Sequence, residues 1–347
     1  MSTPGHLVLR VDASPKIGSG HALRCLALAQ AWADAGGSVG CVTTSLIPKI
    51  EGRFQAEHIS VVHAPGPAGS ERDIEVTRRT AEESAARWLV VDGYVFDSEY
   101  QKRVRPRDGH LLVVDDHGHA GRYIADAVLD QNLPVDAAVY RHRSRGAQLL
   151  LGPRYALLRR ELTSWRRNDR VFAHQARRLL VTFGGSDLRD LTGDAIRTLA
   201  SLSLEVRAVV GPGCQHTASL RRLVAGIPCA HLEEDPPSMA PLFAWAEIAL
   251  SAAGSTCWEL CLFGVPSLLV VVAPNQLASA NALAATGAAS LLDEGRAALS
   301  SLRLEVTKLA NDRARRMAQA RLAQELVDGH GAERVVNALS AAGGSGG

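Results

Sequence analysis

Short runs of aliphatic and β-branched residues alternate with longer helical patterns along the whole chain, and this alternation limits the folds open to it. It is typical of βαβ units, whose parallel strands are joined by right-handed crossovers. We therefore predict an α/β fold with parallel sheets. The predicted strands are 7–11, 38–44, 59–63, 88–92, 111–115, 127–129, 179–183, 205–210, 247–251 and 267–272. The predicted helices include 22–35, 74–87, 255–263, 278–285 and 304–326.

The length predicts two domains. The chain has 347 residues, of which 46% are hydrophobic, and a domain takes roughly 150 residues. We predict an N-terminal domain over 1–165, a C-terminal domain over 166–342 and a flexible glycine-rich tail over 343–347. Two open parallel sheets place ligand sites beyond the carboxyl ends of their strands, with a cleft between the domains. The arginine-rich segment 141–170 is interpreted either as a solvated helix and linker between the domains or as a phosphate-binding rim.

Charge and composition exclude several classes of partner. Lysine and arginine number 38 against 36 acids, a net charge of +2, which argues against a nucleic-acid partner. The six cysteines contain no CxxC pair, which favours reduced thiols and a cytoplasmic location. The first dozen residues give no signal-peptide core, and no apolar run reaches the roughly 18 residues that span a bilayer. We predict a cytoplasmic monomer with no cofactor and no membrane span.

A glycine loop follows the first strand and opens onto a helix. The run Asp12 to His21 reads DASPKIGSGH. Gly20 and its neighbours would present backbone N–H groups and the positive end of a helix dipole to an anion. The run is no dinucleotide fingerprint, since the third glycine is missing and the second strand ends in Thr-Thr-Ser. A Walker sequence occurs nowhere in the chain.

His21 is the candidate base of this loop. At the first turn of a helix the dipole disfavours a positive charge, so the imidazole stays neutral and available. The alternative is a capping or hydrogen-bonded structural histidine. Arg24 falls one turn further on the same side, where it would pair either with a phosphate or with a carboxylate of the first domain.

Two further strand ends of the first half carry polar clusters. One strand delivers Asp92 and Tyr94, and the next delivers Asp115-Asp116-His117-Gly118-His119. A carboxylate among them would accept the second N–H of the histidine and fix its tautomer. Asp115, His117 and His119 also resemble a zinc or manganese ligand set, although we predict no metal. Tyr94 has an alternative interpretation as an ordinary half-buried tyrosine.

The second half contains three comparable strand ends. Gly184, Gly185 and Ser186 form a glycine turn before a helix, which is a second anion cradle. Gly254, Ser255 and Thr256 start another helix, where hydroxyls and N–H groups suit a diphosphate. Glu259, one turn inside, would accept both hydroxyls of a ribose, or else form a capping box with Thr256. Asn275 and Gln276 open the helix after the next strand.

Taken together, these motifs resemble a known family of UDP-sugar hydrolases of the pseudaminic-acid pathway, which also includes spore-coat polysaccharide proteins. The matching stretches are DASPKIGSGHALRCLALA, VVDGY, VVDDHGHA, DQN, LLGPRYALLRREL, VTFGGSD, SAAGSTCWEL and VVVAPNQ, between residue 7 and about residue 285. The family is similar to the peptidoglycan N-acetylglucosaminyltransferase, which implies a GT-B fold of two Rossmann-like domains. The resemblance implies His21 as the catalytic residue and Tyr94 near the sugar. It implies UDP on the second domain, bound by Gly184, Gly185, Ser186, Gly254, Ser255, Thr256, Glu259, Asn275 and Gln276.

The function predicted from these residues is hydrolysis of a UDP-activated deoxy-diacetamido sugar at its anomeric carbon. The family's substrate is UDP-2,4-diacetamido-2,4,6-trideoxy-β-L-altropyranose. His21 would be a metal-independent base in an inverting reaction that releases UDP, with Tyr94 and Asp115 as further catalytic residues and Gly20 and Arg24 as substrate contacts. The product would serve nonulosonic-acid or surface-polysaccharide synthesis. Two alternatives stay open: a GT-B glycosyltransferase that uses an acceptor, and a nucleotide-sugar-binding protein without turnover.

Overall fold

The chain divides into two compact units, which differ from the predicted domains at the boundary between them and at the C-terminal helix. Unit 1 comprises Met1–Arg160 and His330–Gly347, and unit 2 comprises Glu161–Gly329. The computed structural model describes residues 3–166, 170–187, 189–293 and 297–342, so the predicted tail 343–347 lies outside the described residues. The division between the units falls five residues before the predicted boundary at 165. The structure also groups the C-terminal helix with unit 1, whereas the sequence prediction kept it in the second domain.

Unit 1 is built on a parallel sheet with the strand order β3-β2-β1-β4-β5-β6-β7. The central strands β1, β4 and β5 consist almost entirely of buried residues, as expected for a sheet covered on both faces. The strands are β1 (His6–Val11), β2 (Ser38–Thr43), β3 (Ser60–His63), β4 (Trp88–Asp92), β5 (His110–Val114), β6 (Ala127–Asp130) and β7 (Gln148–Leu151).

Unit 2 repeats this design with a parallel sheet of order β10-β9-β8-β11-β12-β13. In both sheets the order reverses beside the first strand, between β1 and β4 and between β8 and β11. Open α/β sheets bind ligands at such switch points, outside the carboxyl ends of the strands. The strands are β8 (Arg178–Thr182), β9 (Glu205–Val210), β10 (Ala230–Glu234), β11 (Ile248–Ala252), β12 (Ser267–Val270) and β13 (Ser290–Leu291).

The helices connect these strands and cover their faces. Helix α1 is buried almost all round between Ala22 and Trp32, and its apolar residues share one hydrophobic cluster with the first sheet and with Val335 and Leu339. The helices of unit 1 are α1 (Gly20–Asp34), α2 (Pro48–Ala56), α3 (Glu71–Glu83), α4 (Ser98–Val104) and the C-terminal α13 (Gly331–Ala342). The helices between α4 and α13 along the chain are α5 (Arg160–Thr163), α6 (Leu191–Leu199), α7 (Thr217–Ala225), α8 (Ala240–Trp245), α9 (Thr256–Phe263), α10 (Leu277–Ala285), α11 (Ala298–Asn311) and α12 (Arg313–Leu326). No helix in the described ranges is long and apolar enough to cross a bilayer.

The arginine-rich segment 141–170 is more structured than a linker. It contains β7, the edge strand of the first sheet. Arg160 pairs with Asp34 at 2.7 Å and Glu57 at 3.2 Å. Arg170 donates to main-chain carbonyls of unit 2, including that of Phe243 at 2.7 Å. These two guanidinium groups are engaged within their own units. The division between the units falls inside the segment, as the linker interpretation expects, and the phosphate-rim interpretation stays a prediction.

The packing of α13 gives a test of its assignment to unit 1. A Cβ on Gly331 would lie 2.6 Å from the backbone nitrogen of Ala156, which leaves no room for a side chain. Gly331→Ala is therefore expected to lower the free energy of unfolding by about 1–3 kcal/mol in urea denaturation. Gly52→Ala is the control, because nothing lies within 4 Å of the added Cβ in α2, and there alanine stabilises a helix by about 0.5–1 kcal/mol. An unchanged midpoint for Gly331→Ala would contradict this packing.

Candidate active site

The candidate site of unit 1 lies at the switch point of its sheet. β1 and β4 are adjacent and parallel, with Val11 beside Asp92 in register. The loop after β1 leads into α1, which begins at Gly20, and the side chain of the N-cap residue Ser19 makes no capping hydrogen bond. His21 therefore stands at the first turn of a helix, directly above the end of β4. This is the placement that the glycine loop predicts.

His21 forms a close pair with Asp92. Its Nδ1 lies 2.5 Å from Oδ1 of Asp92, a carboxylate that is 1% exposed. Because a carboxylate accepts hydrogen bonds, this contact places a proton on Nδ1, and in the neutral imidazole Nε2 then carries the lone pair. Nη2 of Arg24 also lies 3.1 Å from Nδ1. The imidazole itself stays partly accessible. The pair thus has the geometry of a histidine base oriented by a buried acid.

Arg24 sits beneath this pair and connects it to a second carboxylate. Its Nε and Nη2 donate to Asp92, each at 2.6 Å, and its Nη1 donates to Asp116 at 2.8 Å. The guanidinium is 7% exposed and is held by two carboxylates. The sequence left open whether Arg24 binds a phosphate or a carboxylate of the first domain. The structure shows the carboxylate contacts, and its assignment as a substrate contact is corrected.

Asp116, which follows β5, accepts hydrogen bonds from side chains that follow β4 and β6. Besides Arg24 it accepts from the Tyr94 hydroxyl at 2.7 Å and from Nδ2 of Asn132 at 2.7 Å. Tyr94 follows β4 and is 45% exposed, and its ring meets the His21 ring edge-on at 5.0 Å. Tyr94 therefore lies beside the candidate base. These contacts set it apart from an ordinary half-buried tyrosine.

The charges of this cluster support one another. Burial disfavours the ionised form of Asp92, but Arg24 and His21 together hold its pKa below the usual value. Burial acts on Asp116 in the same way, and Arg24 and the Tyr94 hydroxyl lower its pKa nonetheless. The two carboxylates in turn raise the pKa of Arg24 against its burial. Asp92 and Asp116 are therefore ionised at neutral pH.

Asp115, predicted as a catalytic residue, makes its contacts away from His21. It is fully buried and accepts from the hydroxyls of Tyr123 at 2.8 Å and Tyr140 at 2.9 Å. Its histidine contact is with Nδ1 of His119, whereas His21 pairs with Asp92. The carboxylate that orients His21 is therefore Asp92, a choice that the sequence left open. Among the described residues no group of histidine, cysteine and carboxylate side chains is arranged to hold a metal ion.

In unit 2 the predicted residues gather at the carboxyl ends of β8, β11 and β12. The loop after β8 holds Gly184, with φ of +85°, and packs against the loop after β9, since a Cβ on Gly211 would lie 2.6 Å from Gly185. Ser186 is 8% exposed, and its buried Oγ has no hydrogen-bond partner in the described chain. The loop therefore brings glycine backbone and a hydroxyl together, as predicted.

The helix after this loop differs from the predicted anion cradle. Asp187 accepts from the backbone N–H groups of Leu191 and Thr192, each at 3.0 Å. A carboxylate of the chain thus already caps the N-terminus of α6. Any anion held here would contact the loop of Gly184 to Ser186 and not the first turn of α6.

The N-terminus of α9 is capped differently. Its N-cap residue is Ser255, whose exposed side chain makes no capping hydrogen bond. Thr256 is the first helical residue, one position after the N-cap that a Thr256–Glu259 capping box would require. Gln276, after β12, comes within 3.6 Å of the position of a Cβ on Gly254, and Asn275 beside it is exposed. Gly254, Ser255, Thr256, Glu259, Asn275 and Gln276 thus lie on neighbouring strand ends.

Comparison with known proteins begins with the second half of the chain. Residues 181–335 match the family described as Glycosyltransferase family 28 C-terminal domain. The region covers the loops after β8, β11 and β12.

Two curated relatives extend the comparison. The spore coat polysaccharide biosynthesis protein SpsG of Bacillus subtilis (strain 168) is 24% identical over 343 residues, or 96% of this chain and 97% of that one. The UDP-N-acetylglucosamine--N-acetylmuramyl-(pentapeptide) pyrophosphoryl-undecaprenol N-acetylglucosamine transferase of Xylella fastidiosa (strain M12) is 34% identical over 165 residues, covering 44% of this chain. That match spans 45% of the transferase's length.

Solved structures match nearly the whole chain. MurG of Acinetobacter baumannii covers 97% of it with a TM-score of 0.65 and 16% identity. The calicheamicin glycosyltransferase CalG4 covers 100% with a TM-score of 0.65, also at 16% identity. The chain has a GT-B fold. The predicted fold class is confirmed: the GT-B fold accounts for the two parallel sheets and for the switch point in each.

Proposed function

We propose that the chain hydrolyses a UDP-activated sugar at the anomeric carbon, with His21 as the base. The observation that carries this proposal is the His21–Asp92 pair at the N-terminus of α1. A buried carboxylate that holds Nδ1–H leaves Nε2 to accept a proton. A base positioned in this way contributes about 10²–10⁴-fold in rate.

The proposed reaction uses residues of unit 1 in separate roles. Nε2 of His21 takes a proton from a water molecule whose oxygen attacks the anomeric carbon. The bond from that carbon to the diphosphate oxygen breaks, and UDP leaves with the electron pair, with inversion at the carbon. Asp92 stabilises the imidazolium that forms, and Arg24 keeps Asp92 ionised and in place. Tyr94, held by Asp116, borders the reacting group.

We assign nucleotide binding to unit 2. The family 28 match over 181–335 supports this assignment, since it contains the three strand-end loops. Backbone N–H groups at the N-terminus of α9, with Ser255 and Thr256, would stabilise the leaving diphosphate. Glu259 would accept the ribose hydroxyls, and Gly184 to Ser186, Asn275 and Gln276 would complete the contacts.

The substrate class and the setting are part of the proposal. The relative named as a spore coat polysaccharide biosynthesis protein supports a role in surface-polysaccharide or nonulosonic-acid synthesis. The sugar we propose is a deoxy-diacetamido hexose, as the sequence resemblance implies. We propose a cytoplasmic monomer.

A transferase on the same scaffold is the second candidate, because transferase names occur among the relatives and the fold neighbours. There Nε2 of His21 would deprotonate an acceptor hydroxyl in place of water.

The experiment incubates the purified protein with UDP-2,4-diacetamido-2,4,6-trideoxy-β-L-altropyranose or UDP-N-acetylglucosamine and measures UDP release, with no acceptor and with EDTA. Release under these conditions supports hydrolysis. Release only after an acceptor is added would favour the transferase, and loss with EDTA would contradict the metal-independent mechanism.

A further inference from the structure

A second carboxylate–imidazole pair stands beside the first in unit 1. Nδ1 of His119 contacts Oδ1 of Asp115, four residues earlier in the loop after β5. The His119 ring meets the ring of Tyr94 edge-on at 5.4 Å, and Tyr94 meets His21 at 5.0 Å. One half-exposed tyrosine therefore lies between two imidazoles, His21 with a hydrogen bond to Asp92 and His119 in ion-pair contact with Asp115.

Charge balance favours the protonated form of His119. Asp115 is fully buried, and its other hydrogen-bond partners in the described chain are neutral: the hydroxyls of Tyr123 and Tyr140 and the backbone N–H of Gly118. A buried carboxylate without a cation is unfavourable, so a protonated His119 is its counter-ion. Burial lowers the pKa of His119, but Asp115 outweighs this effect and raises it. The more distant Asp116 and Asp92 act in the same direction.

A protonated His119 has a second N–H that lacks an acceptor. Its Nε2 is buried and has no hydrogen-bond partner within the described residues. An unsatisfied buried donor carries a desolvation penalty, which a bound acceptor removes. The ring of Tyr94, which meets this ring edge-on, is 45% exposed, and the His119 side chain is itself 15% exposed, so a ligand beside Tyr94 needs only a local side-chain movement to reach Nε2.

We propose that His119 is a substrate-binding residue whose Nε2–H donates a hydrogen bond to an oxygen of the sugar in the bound nucleotide-sugar. This inference rests on the proposed function, since it takes the sugar to lie beside His21. A hydroxyl or amide carbonyl oxygen of an acetamido sugar is the acceptor that fits a cationic N–H donor. Asp115 is then a positioning residue, which holds His119 as a cation with Nε2–H free to donate.

The first test measures affinity and turnover in His119→Ala and His119→Gln, with His117→Asn as the matched control. His117 lies in the same loop with φ of +61°, which asparagine tolerates. We expect His119→Ala to weaken binding of the UDP-sugar about 10- to 100-fold, the loss of one charged hydrogen bond, with UDP affinity unchanged. His119→Gln keeps an N–H donor and should recover part of the loss, and His117→Asn should match the wild type. Unchanged UDP-sugar affinity in a folded His119→Ala protein would overturn the proposal.

The second test needs no stable variant. Long-range 1H–15N spectra of the wild-type protein report the His119 ring nitrogens, with UDP, UDP-N-acetylglucosamine and UDP-2,4-diacetamido-2,4,6-trideoxy-β-L-altropyranose as probes. We expect a UDP-sugar to shift the Nε2 signal and UDP alone to leave it in place. A shift with UDP alone would assign the contact to the diphosphate and overturn the sugar assignment. Binding of a UDP-sugar without turnover but with the shift would overturn the hydrolase proposal alone. Absence of any UDP-sugar binding would overturn both.

Discussion

Asp92→Asn is expected to lower turnover of the UDP-sugar by about 10²–10⁴-fold while UDP affinity stays at the wild-type value. In the wild-type protein the Asp92 carboxylate accepts a hydrogen bond from Nδ1–H of His21 at 2.5 Å. An asparagine amide can present its NH₂ group to the same nitrogen. That contact favours the tautomer with the proton on Nε2, and an Nε2 that already carries a proton cannot act as a base.

The control for this prediction is Asp126→Asn. Asp126 is another carboxylate paired with an arginine, Arg105 at 2.6 Å. It also accepts a hydrogen bond from the backbone N–H of Leu111 near the start of β5, whereas the site lies beyond the other end of that strand. Its substitution should leave turnover unchanged. Circular dichroism checks that both variants are folded. Wild-type turnover by a folded Asp92→Asn protein would show that the pair does not orient the base.

Asp73→Ala is expected to lower the free energy of unfolding by about 3–5 kcal/mol, the loss typical of one partner removed from a buried ion pair. Asp73 on α3 is fully buried and accepts from Nε of Arg10 at 2.6 Å and from Nη2 at 2.9 Å. Arg10 on β1 is also fully buried, and among the described residues its guanidinium would keep Asp12 alone as an anionic partner, at 2.8 Å. Since domains are stable by only about 5–15 kcal/mol, this loss would be a large fraction of the total.

The position of this ion pair connects stability with the site. The Arg10 guanidinium lies over the ring of Phe96 at 4.8 Å, and that ring packs against Gly93, beside Tyr94. Urea denaturation of Asp73→Ala is the measurement. Glu75→Ala is the control, because Glu75 on the same helix is half exposed in its pair with Arg72, and exposed pairs contribute little. Equal midpoints for the two variants would contradict the account of the buried pair.

Much of the fold could be predicted from the sequence because buried parallel strands are continuous aliphatic runs. The strands missed were Gln148–Leu151, Ala230–Glu234 and Ser290–Leu291, which are edge strands, short or partly exposed. Ala230–Glu234 and Ser290–Leu291 carry no such run, and Leu149–Leu151 form a run of only three residues. The predicted helix 304–326 is two helices in the structure, because Asp312 ends α11 and its carboxylate caps α12 at the N–H of Arg315. A local hydrogen bond thus overrode a continuous helical pattern.

The site was predictable in its members but not in their pairings. The sequence placed His21, Tyr94 and several aspartates at strand ends, because the ends of parallel strands share one edge. It could not choose between Asp92 and Asp115 as the partner of His21, since that choice depends on β4 lying beside β1. Asp116 and Asn132 were likewise present in the motifs without a role. Their contacts with Arg24 and Tyr94 arise from side-chain directions that only the folded structure gives.

The most direct measurement of the central claim is UDP release by His21→Ala beside the wild type, from the same UDP-sugar, without acceptor and with EDTA. UDP affinity is measured in parallel to show that the nucleotide still binds. The account predicts steady release by the wild type, a loss of about 10²–10⁴-fold in His21→Ala and equal UDP affinity in both. Release at the wild-type rate from a folded His21→Ala protein would contradict it.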